Sequence, residues 1–265
     1  MARSHRPRTV AQPSSVIKHR LQNTVAIVTG AGRGIGRATA ELFAREGACV
    51  VLCARTGKEL RATCSAIHAA GGEAVARVAD IGSARQARAL VNLALRRYGR
   101  VDLLINNAGI LGPRVPLVHY PHHDWATVLR INLSGTFYMM QEAARIMARQ
   151  RSGCIITLSS SVGRTGRAEW GAYAVSKFGA EGLSQVLADE LRPAHVCVIS
   201  FNPGGTRTAM RAAAYPREDR SALRDPSVAA RALLHLAICS SPAISGRAFD
   251  LNNLPPRLPA HPSGI

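Results

Sequence analysis

Tyr173-Ala-Val-Ser-Lys177 sets a phenol and an ammonium four residues apart in a stretch, Trp170 to Leu191, that reads as helix. Four residues are slightly more than one helical turn, so both side chains leave the same face and can meet over one substrate. A phenol at its usual pKa of about 10 exchanges protons poorly at neutral pH, and a neighbouring cation favours the phenolate. The pair therefore has the makings of a tuned acid/base. Among 34 basic residues only Lys18, Lys58 and Lys177 are lysines, so the chain writes arginine almost everywhere and departs from that habit here. A compact ammonium on a flexible stem can approach a phenol and a sugar hydroxyl together, where a planar guanidinium does not fit. Tyr and Lys at this spacing also occur on helices with no chemistry, so the surrounding elements have to decide.

Those elements alternate regularly. Short runs rich in Val and Ile, at Val25–Thr29, Cys49–Cys53, Ala74–Val78, Val101–Ile105, Cys154–Leu158, Val196–Phe201 and, more weakly, Ala248–Leu251, are separated by longer segments of helical period. The runs are nearly continuously apolar, as strands buried on both faces are. Strand–helix alternation implies right-handed crossovers and a parallel sheet. The expectation is an α/β fold in one domain, a Rossmann-type doubly wound parallel sheet of about seven strands over residues 21–252. A basic arm, residues 1–20, precedes it, with five basic residues, no acid and two prolines, a composition expected to be disordered. A proline-rich tail, residues 253–265, follows it.

A doubly wound sheet binds ligands at the carboxyl ends of its strands, and each polar motif falls at such an end. The first strand runs into Gly30-Ala31-Gly32-Arg33-Gly34-Ile35-Gly36 and then a helical pattern from Arg37 to Glu46. Glycines there let the backbone turn sharply and approach a pyrophosphate resting on the helix N-terminus. Dinucleotide binding follows. The second strand ends in Ala54-Arg55, with no acid to bind a ribose 2′-hydroxyl; Arg55 and Arg33 can instead converge on a 2′-phosphate, which argues for NADP(H). The third strand ends at Asp80-Ile81, placed to close over the adenine. The fourth ends in Asn106-Asn107-Ala108-Gly109, where glycine and amides suit a backbone held close to the cofactor.

The fifth strand ends in Leu158-Ser159-Ser160-Ser161, thirteen residues from Ser160 to Tyr173. With the glycine loop, Asn106-Asn107-Ala108-Gly109, the Tyr173–Lys177 helix and Asn202-Pro203-Gly204, in that order, the chain resembles the short-chain dehydrogenase/reductase superfamily, and most nearly its 3-oxoacyl-[acyl-carrier-protein] reductase-like members. The likeness covers about Leu21 to Leu251. It implies that Tyr173 is the acid/base, that Ser160 holds the substrate carbonyl, and that Lys177 lowers the phenol pKa and binds the nicotinamide ribose. Ser159 and Ser161 compete with Ser160, the spacing favouring the middle residue. Asn132 matches the asparagine that holds a proton-relay water. Pro203 and Gly204 match the loop facing the nicotinamide, and Thr206 or Thr208 a contact to its carboxamide. A basic segment from Arg207 to Arg224 falls where the family carries a substrate lid, and family members commonly pair two helices, here around Asp124–Arg149 and the Tyr173 helix, into homodimers or homotetramers.

Composition limits the alternatives. The chain of 265 residues is 47% hydrophobic, enough for one large core. It has no apolar run long enough to span a bilayer and no secretory signal core, so a cytoplasmic protein with no membrane partner is expected. Six cysteines without a C-x-x-C pair indicate buried thiols in a reducing compartment and no metal site. The net charge of +18 comes from dispersed arginines without interleaved aromatics, which argues against nucleic acid and leaves an anionic or carrier-bound carbonyl or alcohol substrate open. The leading function is hydride transfer between NADP(H) and such a substrate, with 3-oxoacyl thioester reduction the nearest-looking activity. The alternative is a dinucleotide-binding sensor or scaffold, which would need none of Ser160, Tyr173, Lys177 and Asn132. The resemblance has departures: His195 stands where members of that family commonly have a glycine before the sixth strand, and Ile199 where many have asparagine; a histidine can adopt the left-handed conformation at some cost.

Overall fold

The structure is a computed structural model that describes residues 19–256; most of the expected basic arm and proline-rich tail lies outside the described residues. Seven strands form one sheet: β1 (Val25–Thr29), β2 (Cys49–Ala54), β3 (Glu73–Val78), β4 (Leu103–Asn106), β5 (Gly153–Leu158), β6 (Val196–Asn202) and β7 (Ala248–Asp250). Their order is β3-β2-β1-β4-β5-β6-β7 and every neighbouring pair is parallel. The helices are α1 (Gly34–Arg45), α2 (Gly57–Ala69), α3 (Ala84–Tyr98), α4 (His122–Leu129), α5 (Gly135–Gln150), α6 (Gly171–Glu190), α7 (Ala209–Ala214) and α8 (Pro226–Ile238).

Alternate residues of each strand enter two cores. Val28, Leu52 and Ile156 pack with Phe43 of α1, Leu60 of α2 and Leu233 of α8 on one face. Ile27, Val51 and Ile155 pack with Leu90 of α3 and Met139 and Met147 of α5 on the other. A sheet covered on both sides can offer polar groups only at its rims, and strand order reverses between β1 and β4, opening a crevice at their carboxyl ends.

Three local features refine the sequence expectations. Helix α1 begins at Gly34 rather than Arg37, so the glycine loop supplies its first turn, and its N-cap Arg33 makes no side-chain cap. The helical segment expected through Asp124–Arg149 is interrupted by a π turn at Arg130–Ser134. One extra residue in that turn aims Asn132 at the loop after β4, the sort of bulge found at functional sites. His195 does adopt the left-handed conformation, at φ 56°. All six cysteines are free, although Cys49 and Cys64 are only half-buried, which departs from the expectation of six buried thiols.

Gly36 is a further correction. Expected among the cofactor contacts, it lies under the loop instead: a Cβ there would run into the Gly30 carbonyl and the Asn107 amide. Its service is close packing of α1 on β1. Gly36→Ala should therefore destabilise the fold by about 1–3 kcal/mol, as overpacked sites do, and weaken cofactor binding by displacing the loop. Denaturant unfolding and a cofactor titration on the same variant would check both.

Candidate active site

Above the carboxyl ends of the strands lies a cavity of about 880 Å³. Gly30, Gly32, Arg33, Gly34, Ile35, Arg55, Asp80, Ile81, Asn107, Ala108, Gly109, Ser160, Tyr173, Lys177, Pro203, Gly204, Thr206 and Thr208 all line it. Asn132 and Gly36 do not.

The floor at the β1 end is a cradle. Gly30 has φ +66°, and a Cβ on it would lie 3.0 Å from the Ala108 backbone. Asn107 fixes this turn, its Nδ2 donating to the Thr29 carbonyl at 2.8 Å and the Gly30 carbonyl at 3.2 Å. Its amide hydrogens thus hold the loop and are not offered to a ligand. Uncapped N–H groups at the start of α1 face a space that side chains would otherwise fill, which suits a pyrophosphate. At the outer rim Arg55 is exposed, and Arg33 is drawn towards Glu59 of α2 at 3.7 Å. Asp80 accepts from Arg130 Nη1 at 2.8 Å and from the Gly82 N–H at 2.9 Å. The sequence places no acid at the end of β2; Glu59 stands there because the first turn of α2 packs against the loop, its Cβ 3.0 Å from where a Gly32 side chain would begin.

At the β5 end, Ser160 caps a short 3-10 turn, accepting from the Val162 N–H at 3.4 Å, and lines the cavity beside Tyr173. Ser161 is exposed and away from the cavity. Ser159 is buried near Lys177, a Cβ at Gly163 meeting both. Lys177 is 7% exposed; its Nζ donates to the Leu158 carbonyl at 2.6 Å and lies 5.7 Å from the centre of the Tyr173 ring.

Burial pushes the Tyr173 phenol up from 10.0 to about 12, and the Ser160 hydroxyl beside it offsets part of that. Burial lowers Lys177 from 10.5 to about 8, against the pull of Glu181 one turn further along α6. The expectation from sequence is that the Lys177 charge lowers the phenol pKa; in this cavity the ammonium is turned to the Leu158 carbonyl, and burial, the largest influence on the phenol, acts in the opposite direction. Tyr173 is consequently a protonated donor at neutral pH.

Asn132 completes the frame from outside the cavity. Its Oδ1 accepts from the Ile110 N–H at 2.8 Å; its Nδ2 donates to the Ile110 carbonyl at 2.8 Å and to Ser176 Oγ at 3.2 Å, and Ser176 in turn donates to the Tyr173 carbonyl at 2.7 Å. Both amide hydrogens are spent on protein, so the side chain ties the loop after β4 to the Tyr173 helix.

Leu111, Met210 and Ala214 form an apolar wall with Trp170, whose ring lies 5.6 Å from Tyr173 and 5.8 Å from Tyr215 between centroids. Sequence reasoning missed this wall, since only position in the fold distinguishes these residues from other apolar ones. Trp170, three residues before Tyr173, was the one available signal. In the basic segment 207–224, Arg207 pairs with Asp225 at 2.9 Å and Arg211 pairs with Glu218, so two of its five arginines are neutralised.

Comparison with known proteins agrees with this geometry. The family model described as short chain dehydrogenase matches residues 24–219. The chain belongs to the short-chain dehydrogenase family. It is 38% identical over 233 residues to the uncharacterized oxidoreductase YciK of Escherichia coli K12, covering 87% of this chain and 92% of that protein. It is 32% identical over 241 residues to the 3-oxoacyl-[acyl-carrier-protein] reductase FabG of Thermotoga maritima, covering 88% and 98%. Among solved structures, a short chain dehydrogenase of Shigella flexneri 2a complexed with NADP superposes with a TM-score of 0.83 at 37% identity, covering 89% of this chain and all (100%) of that one. A similar protein of Escherichia coli CFT073, complexed with NADPH, gives 0.83 at 36% identity, covering 89% and 99%. Membership of the short-chain dehydrogenases makes this chain an oxidoreductase of one α/β domain type, acting on small molecules. None of its described helices is long and apolar enough to cross a membrane.

The buried lysine generates a stability test. Between about 8 and 10.5 the unfolded chain keeps the Lys177 proton and the folded chain does not, so stability rises with pH through that window. Relative to Lys177→Met, wild type should gain up to about 3 kcal/mol from pH 7 to above 10, since each tenfold change in proton affinity is worth about 1.4 kcal/mol. Chemical denaturation of both proteins across this range measures the difference, in which the other titrating groups cancel.

Proposed function

We propose that the protein reduces a carbonyl to a secondary alcohol with NADPH, and runs the reverse oxidation at higher pH. The observation that carries this reading is that Ser160, Tyr173 and Lys177 share one cavity with a glycine cradle suited to a dinucleotide. The bound cofactor supplies the hydride. Negative charge then develops on the carbonyl oxygen, and Ser160 and Tyr173 are the donors beside it. Tyr173 gives its proton to that oxygen, and a phenol held near 12 is fully protonated for this at neutral pH. Lys177 would hold the nicotinamide ribose and supplies positive charge as the phenolate forms. Asn132 keeps the Tyr173 helix and the loop after β4 in register, and Ile35, Ile81, Ala108, Gly109, Pro203, Gly204, Thr206 and Thr208 line the cavity where they would wall the cofactor. The apolar wall of Trp170, Leu111 and Met210 favours a substrate with a hydrophobic body, and a 3-oxoacyl thioester is consistent with the likeness to FabG.

NADP(H) is the cofactor of this proposal, on the exposed Arg55, the nearby Arg33 and the two relatives solved with NADP and NADPH. Two charge-assisted contacts at an exposed rim amount to a preference over NAD(H) of roughly tenfold to a thousandfold. Glu59 moderates it by holding Arg33, so Glu59→Gln should widen the preference, whereas Ala54→Asp with Arg55→Gln should reverse it. Specificity constants for both cofactors in the three proteins decide; a wild-type preference for NADH would refute the assignment.

Two more expectations follow from the same chemistry. Tyr173→Phe should lower kcat at least about a thousandfold, in line with loss of a general acid, while NADPH affinity stays within a few-fold in a fluorescence titration. Carbonyl reduction should be level up to about pH 8 and fall above it as Lys177 loses its proton.

The proposed assembly is a homodimer or homotetramer through α5 and α6, whose outer faces expose Phe137, Val175, Phe178 and Val186. Light scattering that finds only monomer at micromolar concentration would contradict it. Six free cysteines fit the proposed cytoplasmic setting.

A further inference from the structure

Arg164 stands four residues beyond Ser160, just after the 3-10 turn that Ser160 caps. Its guanidinium reaches in three directions. Nε donates to Glu181 Oε1 at 2.9 Å, Nη1 to Asp250 Oδ2 at 2.8 Å, and Nη2 to the Phe249 carbonyl at 3.4 Å. The network continues past Asp250 at the end of β7: Asn202 Nδ2 donates to Asp250 Oδ1 at 2.7 Å, and the Gly204 N–H donates to Asn202 Oδ1 at 3.0 Å. Glu181 lies one turn beyond Lys177 on α6 and is 7% exposed, an enclosure in which a carboxylate needs a partner. One planar fork therefore joins the serine turn, the helix carrying Tyr173 and Lys177, and the loop after β6 that forms the facing wall of the cavity. A lysine at 164 could not span both carboxylates.

We propose that Arg164 and Glu181 are positioning residues of this active site: Arg164 fixes Glu181 one turn from Lys177 and, through Asp250 and Asn202, ties the catalytic helix to the loop after β6. The proposal rests on the reading of Tyr173 and Lys177 as the catalytic pair. Its electrostatics are local. Lys177 is faced on its own helix by the Tyr173 phenol and Glu181, and from the end of β5 by the Leu158 carbonyl, Ser159 and Ser160. Of the charges on the other elements packed against α6, Arg130 pairs with Asp80, Arg145 with Glu142 and Arg192 with Asp189, Asp124 lies beside His123, and His122 and Arg149 are exposed. The thiol of Cys197 lies at the far end of β6, in register with Cys154. Glu181 is thus the acid that holds Lys177 in its charged form, while Asp250 serves the opposite wall.

The two arms have separate readouts. Steady-state kinetics with NADPH and a ketone from pH 6 to about 10, on wild type, Glu181→Gln, Glu181→Asp, Asp250→Asn and Tyr173→Phe, with melting temperatures alongside, test both. Glu181→Gln should move the alkaline limb of kcat/KM down by about half to one pH unit, the scale of one lost neighbouring charge. Glu181→Asp should largely restore it. Asp250→Asn should leave the limb in place and raise KM for NADPH about threefold to tenfold. An unmoved limb in Glu181→Gln, or kinetic losses that merely follow melting temperature, would overturn the proposal. Should Glu181→Gln not fold, Asp250→Asn at the sheet edge decides, an unchanged KM for NADPH refuting the tie. Tyr173→Phe separates the two levels: near-normal turnover there would sink the catalytic reading itself, whereas its inactivity beside an unmoved Glu181→Gln limb would sink only the network.

Discussion

An enclosed ammonium is costly, and much of this molecule can be understood as the means of keeping one at Lys177. Water is nearly excluded from it, so its hydrogens must go to fixed protein acceptors. The Leu158 carbonyl provides one because β5 ends there, where the sheet ladder no longer claims that oxygen. Gly163 provides room, since a Cβ at that position would sit 2.8 Å from Lys177 Cβ and 2.9 Å from Ser159 Oγ. Glu181 supplies the opposing charge, and its own enclosure requires Arg164. Removing any one leaves another group in a worse state, which is how a buried polar network specifies a single arrangement.

The same constraint explains where the chemistry sits. Strands buried on both faces allow side chains no polar surroundings except at the rims, and the amino and carboxyl rims differ because the crossover connections open the crevice at one of them. The cradle at β1, the amides at β4, the serines at β5 and the loop after β6 are four strand ends brought side by side by the order β1-β4-β5-β6. Helix α6 closes this row from the front, and the π turn at Arg130–Ser134 lets Asn132 fasten that helix to the β4 end. Tyr173 is left between an apolar wall and the cofactor space, which holds its proton on.

Much of this was legible in the sequence because parallel buried strands write themselves as apolar runs and glycine loops must follow a strand. The runs all fall within two residues of the observed strand ends, Val101–Ile105 being shifted to Leu103–Asn106 and β7 ending one residue early. The residues expected around the cofactor nearly all line the cavity, Gly36 being the one displaced beneath it. Other features carry no local signal. Arg-Ile-Asn-Leu-Ser continues a helical pattern, and nothing in it announces a π turn. Glu59 looks like an ordinary exposed helix residue until α2 folds back on the glycine loop. Arg164 meets Glu181 across 17 residues and Asp250 across 86, contacts that only the crossovers create. The direction in which the Tyr173 pKa moves escapes the sequence for a related reason: spacing reveals the neighbouring charge, whereas the depth of burial, which governs the outcome, is a property of the whole fold.

The central claim is the state of that one ammonium, and the scarcity of lysine makes it directly measurable. With only Lys18, Lys58 and Lys177 in the chain, selective 13C labelling of lysine gives three side-chain resonances, and Lys177→Met identifies the one of interest. Following the Cε shifts in a pH titration should show the Lys177 resonance titrating near 8, well below the 10.5 of an ordinary lysine. A Lys177 resonance that titrates near 10.5 would mean that the ammonium is solvated, and the account of the site built on its burial would fail.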